Sequence, residues 1–207
     1  QNTLKNGIRM SSARAYLWPA RKRSNVTVIK HALATRILFK NKTAIGIEYR
    51  QRGKQTRVLA SKEVILSSGS INTPQLLNLS GVGDAVALKH KNIEVIYDAP
   101  AVGQNMQDHL CIDFLYRSKV PTLNQQLNPF WGKAWYSLKY ILSRRGPLSL
   151  GVNQAGGFVA TNDSLTKPNM QLFFSPVSYT KALPGERPLM NPDPFPGFLL
   201  SAQPTRP

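Results

Sequence analysis

The chain has 207 residues, of which 42% are hydrophobic and 18% charged, and it carries a formal net charge of +17. Such a length suits one large or two small domains, and the composition excludes a disordered tail. No apolar run approaches the roughly 20 residues of a membrane span, and the opening Gln1-Asn2-Thr3-Leu4-Lys5 shows neither an initiator Met nor a signal-peptide core. The chain therefore reads as a piece of a longer one.

Residues 11–23 predict a short helix, capped by Ser11 or Ser12 and ending before Pro19, because a residue ahead of proline avoids helical geometry. Extended segments follow at Val26–Ile29, Thr35–Phe39 and Ala44–Arg50. Asn41-Lys42 forms the hairpin turn between the second and third, and Gly53-Lys54 turns the chain into Val58-Leu59-Ala60. This front part is strongly basic. Residues 1–60 hold 14 Lys or Arg against 1 Asp or Glu, residues 61–110 hold 3 against 5, and residues 111–207 hold 10 against 4. A basic third can bind phosphates. It can equally be the wet face of half-buried strands, and the alternation in Ile45-Gly46-Ile47-Glu48-Tyr49-Arg50 favours that reading. No nucleic-acid motif accompanies the charge, so no nucleic-acid partner is expected.

Glu63-Val64-Ile65-Leu66 is a continuous apolar run, the pattern of a strand covered on both faces, and it ends in small residues. Ile71–Leu79 then predicts a helix with Pro74 in its first turn, and Gly81 is a candidate for a left-handed C-terminal cap. Strand, small-residue turn and helix N-terminus make an anion-friendly geometry. Beyond residue 110 proline, glycine and aromatic residues become frequent. A helix over about residues 130–143 bears Trp131, Trp135, Tyr136 and Tyr140, whose spacing predicts an aromatic stripe facing the core, with a substrate-lining role as the alternative. Gly156–Val159 and Met170–Phe174 predict strands, and the proline-rich run Pro184–Pro196 predicts a long surface loop.

The single cysteine, Cys111, excludes an internal disulfide and a multi-thiolate zinc site, and its apolar surroundings predict an inert packed thiol. His31, His90 and His109 are too dispersed for a metal pair. So few thiols favour a cytoplasmic location, with peripheral membrane association left open.

The stretch Gly69-Ser70-Ile71-Asn72-Thr73-Pro74-Gln75-Leu76-Leu77-Asn78-Leu79-Ser80-Gly81-Val82-Gly83 resembles the second signature of the glucose–methanol–choline (GMC) oxidoreductases and meets all its constrained positions. Gly7-Ile8-Arg9 with Ser12–Leu17 resembles the segment ahead of the family's central strands. Val102-Gly103-Gln104-Asn105-Met106-Gln107-Asp108-His109 resembles its "VGxNLQDH" element, with Met106 in place of Leu. Gln203–Pro207 resembles the approach to "RPxSRG". The likeness runs over residues 7–180 or so, nearest the choline and alcohol dehydrogenase branch. No GxGxxG occurs, and none of the three histidines matches the family's catalytic one, so the chain resembles the middle of such an enzyme.

The resemblance implies an α/β plus α+β fold. Residues 1–110 would close the first segment of a Rossmann-like FAD-binding domain, and residues 111–207 would begin an antiparallel substrate domain. It implies FAD as cofactor, a small alcohol as substrate, hydride transfer to flavin, and oxygen, a quinone or another carrier as electron acceptor. No catalytic residue is assigned within the chain, since the general base would lie downstream of Pro207. Ala34 would offer its main chain to the adenine, and Ser68 and Gly69 would let the dinucleotide approach the backbone. Asp108 and His109 would sit at the junction of cofactor and substrate domains, His109 either approaching the flavin or satisfying a buried hydrogen bond. A basic binding module for anionic polymers and a cofactor-binding remnant without turnover are the alternatives.

Overall fold

The computed structural model describes residues 3–179 and 191–206. They divide into two units, Ser24–Gln107 and a second that joins Gln1–Arg23 to Asp108–Pro207.

In chain order, β1 (Leu4–Lys5) and β2 (Ile8–Arg9) form a small hairpin. A π-helical turn over Ala13–Leu17 then runs into α1 (Trp18–Ala20). Ser11 is the serine that caps, its Oγ accepting the Arg14 N–H at 3.3 Å. The helix continues through Pro19 instead of stopping before it. Trp18 N–H donates to the Ala13 carbonyl, five residues back, and Arg21 N–H donates to the Leu17 carbonyl at 2.8 Å. The ladder thus steps around a residue with no N–H to give.

The unit 24–107 is built on an antiparallel meander of β3 (Ala32–Lys40), β4 (Thr43–Gln51) and β5 (Lys54–Leu59). Its turns place Asn41 (φ 55), Arg52 (φ 50) and Gly53 (φ 79) in left-handed geometry, the backbone that tight hairpins require. Val26–Ile29 form no strand. The basic side chains Arg36, Lys40, Arg50, Lys54 and Arg57 are exposed on these strands. After the meander come α2 (Gly69–Leu79), β6 (Val82–Gly83), α3 (Ala85–His90) and β7 (Tyr97–Asp98), with β6 and β7 parallel. Asp84 starts α3 by accepting the Ala87 N–H at 2.7 Å. Ile37 from β3, Leu76 from α2 and Leu88 from α3 are the buried apolar residues of this unit.

The apolar run at 63–66 is not a strand. Among the described residues it has no ladder partner, and Ile65 is 77% exposed. Hydrophobicity says which residues need cover, but a strand exists only through a neighbour's hydrogen bonds.

Glu48, opposite Arg57 in the β4–β5 register, is buried. It accepts from Arg57 Nε at 2.9 Å, from Gln55 Nε2, and from Thr35 Oγ1 at 3.5 Å. The Arg57 hydrogen bond, helped by that of Gln55, holds the carboxyl below the ordinary glutamate value. A carboxylate lowered in the folded state contributes stability that is complete above its unfolded value and is lost as pH falls toward the folded one. Acid titration of thermal stability should therefore show a loss below the ordinary glutamate range that Glu48→Gln removes. Identical acid slopes for the two proteins would assign the loss elsewhere.

The second unit holds β8 (Ile112–Arg117), α4 (Leu123–Leu127), α5 (Phe130–Ser143), a 3-10 turn at Pro147–Ser149, β9 (Ala155–Val159), β10 (Met170–Ser175) and β11 (Gly197–Pro204). Its four-stranded sheet is antiparallel throughout, in the order β8-β11-β10-β9. Asn124, fully buried at the start of α4, donates from Nδ2 to Ser178 Oγ at 2.8 Å and to the Phe195 carbonyl at 2.9 Å. Of the proline-rich run, 184–190 lie outside the described residues. In the remainder Pro192 bridges Tyr179 and Asp193 is buried.

The α5 aromatics do not form one core-facing stripe. Tyr136 and Tyr140 turn toward their unit, donating to Gln126 Oε1 at 2.7 Å and to the Gly7 carbonyl at 2.9 Å. Trp131 and Trp135 are 80% and 61% exposed. A five-residue step, as from 131 to 136, rotates the side chain by about 140° and so places it on another face.

Candidate cofactor site

The small-residue signature splits into two halves with different surroundings. Its C-terminal half is packed. The Ser80 hydroxyl, fully buried, donates to the Leu76 carbonyl at 2.6 Å and accepts the Ile37 N–H at 2.8 Å, which ties the end of α2 to β3. Gly81 has φ 88, as a left-handed cap requires, and a Cβ there would strike the Glu94 carbonyl oxygen. A Cβ on Gly83 would strike Asn78 Oδ1.

The N-terminal half is open. Gly69 has φ 90, yet a Cβ built on it would meet nothing within 4 Å. No side chain caps α2, and its first turn holds no acidic residue. The helix's own first turn therefore supplies no counter-charge to its positive end. Ser68 is exposed, and its N–H donates to Thr73 Oγ1 at 3.1 Å, fixing the turn. The helix begins at Gly69, two residues earlier than the sequence predicts, so Pro74 lies inside it instead of in its first turn.

A groove of about 750 Å³ runs beside α2 and is lined by Ser70, Pro74, Asn78, Val102, Asn105 and Met106, among others. It joins the signature to residues 102–107 of the second motif, and its size is that of a ligand site. Gly103, at φ 79, stacks against Pro74, where a Cβ would lie 3.5 Å from the proline ring. Sequence reasoning passed over Asn105, whose φ of 54 places a non-glycine residue in left-handed geometry on the groove wall. The signal lay in the motif itself, since asparagine tolerates that backbone.

Ala34 is exposed on β3 opposite Tyr49, and the register shifts between Ala34 and Arg36. Such a bulge takes main-chain groups out of the ladder, which suits a backbone contact. Asp108 and His109 belong to the other unit. Asp108 Oδ1 accepts the His109 N–H at 2.8 Å, and His109 Nδ1 donates to the Pro204 carbonyl at 3.3 Å, both residues being exposed. Cys111 is exposed rather than packed, with its thiol 3.8 Å from Asp113 Oδ1, because the β8 register begins one residue later and leaves it outside the sheet. Among the described residues no cluster of His, Cys, Asp or Glu could hold a metal ion, and no helix is long and apolar enough to cross a membrane.

The GMC oxidoreductase family model matches residues 2–111. The chain belongs to the GMC oxidoreductase family. Among curated relatives, an oxygen-dependent choline dehydrogenase of Staphylococcus aureus is 40% identical over 172 residues, covering 83% of this chain and 30% of its own length. An alcohol dehydrogenase [acceptor] of Pseudomonas putida is 41% identical over 179 residues, covering 85% of the chain and 32% of the relative. This GMC chain thus spans about a third of the length of these relatives. A variant of Aspergillus oryzae formate oxidase, solved for its effect on FAD modification, superposes with a TM-score of 0.83 at 23% identity, over 99% of this chain and 39% of the oxidase. The mixed α/β architecture with antiparallel sheets is therefore a GMC fold, and FAD is the cofactor these findings support. Two observations on the GMC chain itself fit that group: the open cradle at Gly69 and the bulge at Ala34.

Proposed function

We propose that this chain supplies part of the FAD cradle of an enzyme that oxidises the CH–OH group of a small alcohol, choline-like or primary. FAD, when bound, accepts a hydride at flavin N5 and passes the electrons to oxygen, a quinone or another carrier. Ser68 and Gly69 admit the dinucleotide to the main chain at the open end of α2. Ala34, next to Thr35, which the bulge leaves out of the register, presents its main chain to the adenine. Asp108 and His109 stand where residues of the cofactor segment, 1–110, give way to those of the substrate segment, 111–207. The first of these segments would complete a Rossmann-like layer and the second would open the substrate domain. The general base is not among the residues of this chain.

The observation that carries this reading is the family match over residues 2–111, which encloses all five of these positions. The likeness to choline and alcohol dehydrogenases points to the substrate class. Anaerobic mixing of the enzyme from the complete reading frame with choline, or with a primary alcohol, tests it. The oxidised flavin band should bleach with one of the two. A flavin that neither alcohol reduces would overturn the substrate class, and a colourless purified enzyme would overturn the cofactor.

A further inference from the structure

The first turn of α2 is short of hydrogen bonds. Pro74, inside the helix, has no N–H with which to reach the Ser70 carbonyl four residues back. Ser68 stands before the helix at φ −84 and ψ 2 but lends it no side-chain hydrogen bond. Gly69 follows at φ 90, with open space where a Cβ would stand. The tie between turn and helix comes from Thr73, one residue before the proline, whose Oγ1 accepts the Ser68 N–H at 3.1 Å.

A helical threonine ordinarily directs its hydroxyl to a carbonyl of its own helix, three or four residues back. Here the oxygen reaches five residues back, beyond the helix, and takes a backbone N–H. That bond closes a ring from Ser68 through Gly69 to Thr73. It so fixes the direction of the N–H groups at the start of α2, which have no partner within the helix. We propose that Thr73 is a positioning residue for FAD: its hydroxyl sets the Ser68–Gly69 turn in the geometry that lets the dinucleotide approach the main chain. This rests on the reading of Ser68 and Gly69 as part of the FAD cradle, and it gives Thr73 no contact with the dinucleotide itself. The hydroxyl, not the bulk of the side chain, carries the role. Ser68 is exposed, so its N–H can turn to water when the hydroxyl is removed, and the fold loses little. The cradle loses its set geometry, which the ligand must then restore from its own binding energy.

Flavin retention in the complete enzyme tests it. Thr73→Val, which keeps the shape of the side chain but not its hydroxyl, should raise the FAD dissociation constant by about tenfold. The melting temperature of that apoprotein should match the parent's. Thr73→Ser, which keeps the hydroxyl, should bind FAD as the parent does. Because Thr73 acts through the turn, adding Thr73→Val to Gly69→Ala should weaken binding by much less than a further tenfold. A Thr73→Val enzyme that holds flavin as tightly as the parent would overturn the inference and leave the cradle standing. So would a Thr73→Ser enzyme as weak as Thr73→Val, or full additivity with Gly69→Ala, which would give Thr73 a role apart from the turn. An apoprotein melting temperature that falls in step with the flavin lost would make Thr73 a residue of the fold alone and overturn the inference too. A parent enzyme that purifies without flavin would overturn the cradle and the inference together.

Discussion

Replacing Gly81 by alanine is expected to destabilise the unit 24–107 by about 3–5 kcal/mol, while Gly53→Ala should cost only about 1 kcal/mol. Both glycines have left-handed backbones, φ 88 and φ 79, so the strain of placing a Cβ at positive φ is common to both. Their surroundings differ. A Cβ on Gly53 meets nothing within 4 Å, whereas one on Gly81 collides with the Glu94 carbonyl oxygen and comes within 2.8 Å of Ile96 Cγ1. The colliding oxygen is backbone, which no rotamer change can move aside. Nor can Gly81 retreat cheaply, because its carbonyl accepts the Ile96 and Tyr97 N–H groups at 2.8 and 3.1 Å and so holds β6 to β7. Urea unfolding of the two variants, followed by far-ultraviolet dichroism, measures the contrast. Equal losses would mean that backbone angle alone sets the cost and that the packing around Gly81 yields.

The sequence is most readable where structure is decided locally. The meander from residue 32 to 59 follows from alternation and from the turn residues Asn41 and Gly53, each of which acts within a few positions of itself. The open turn at Ser68 and Gly69 was legible for the same reason, since small residues before a helix mark it whatever surrounds them. The misreadings have several causes. The run at 63–66 reads as a covered strand, but its cover must come from residues that no local pattern contains. The α5 aromatics read as core-facing from their ring content, but helical phase puts 131 and 135 on a face away from 136 and 140. Pro19 reads as a stop, yet one wider helical turn ahead of it removes the conflict. Cys111 reads as packed because its neighbours are apolar, but it precedes β8, and Leu110 and Ile112 on either side of it are themselves exposed. The groove between α2 and residues 102–107 needed the tertiary path, and only the left-handed asparagine hinted at it.

At Gly69 the same backbone geometry as at Gly81 leads to the opposite expectation. Gly69→Ala in the complete enzyme should lower stability by only about 1 kcal/mol, because the added methyl meets no protein atom within 4 Å. FAD affinity should nonetheless fall by about a hundredfold if the proposed cradle is right, since the methyl would then occupy the space through which the dinucleotide reaches the main chain at the start of α2. Two charge-assisted hydrogen bonds, at about 1.5–3 kcal/mol each, account for a loss of that size. The flavin that does bind should still be reduced by alcohol at the wild-type rate, because the proposed cradle puts Gly69 beside the dinucleotide and away from the reacting carbon. Three readings separate the outcomes: melting temperature of the apoprotein, flavin released on dilution, and the rate of anaerobic bleaching in the loaded fraction. A variant that keeps its flavin as tightly as the parent would remove Gly69 from the cradle. One that loses stability and flavin in proportion would show the glycine acting through the fold, as Gly81 does, and the open space beside it would then have no ligand to explain it.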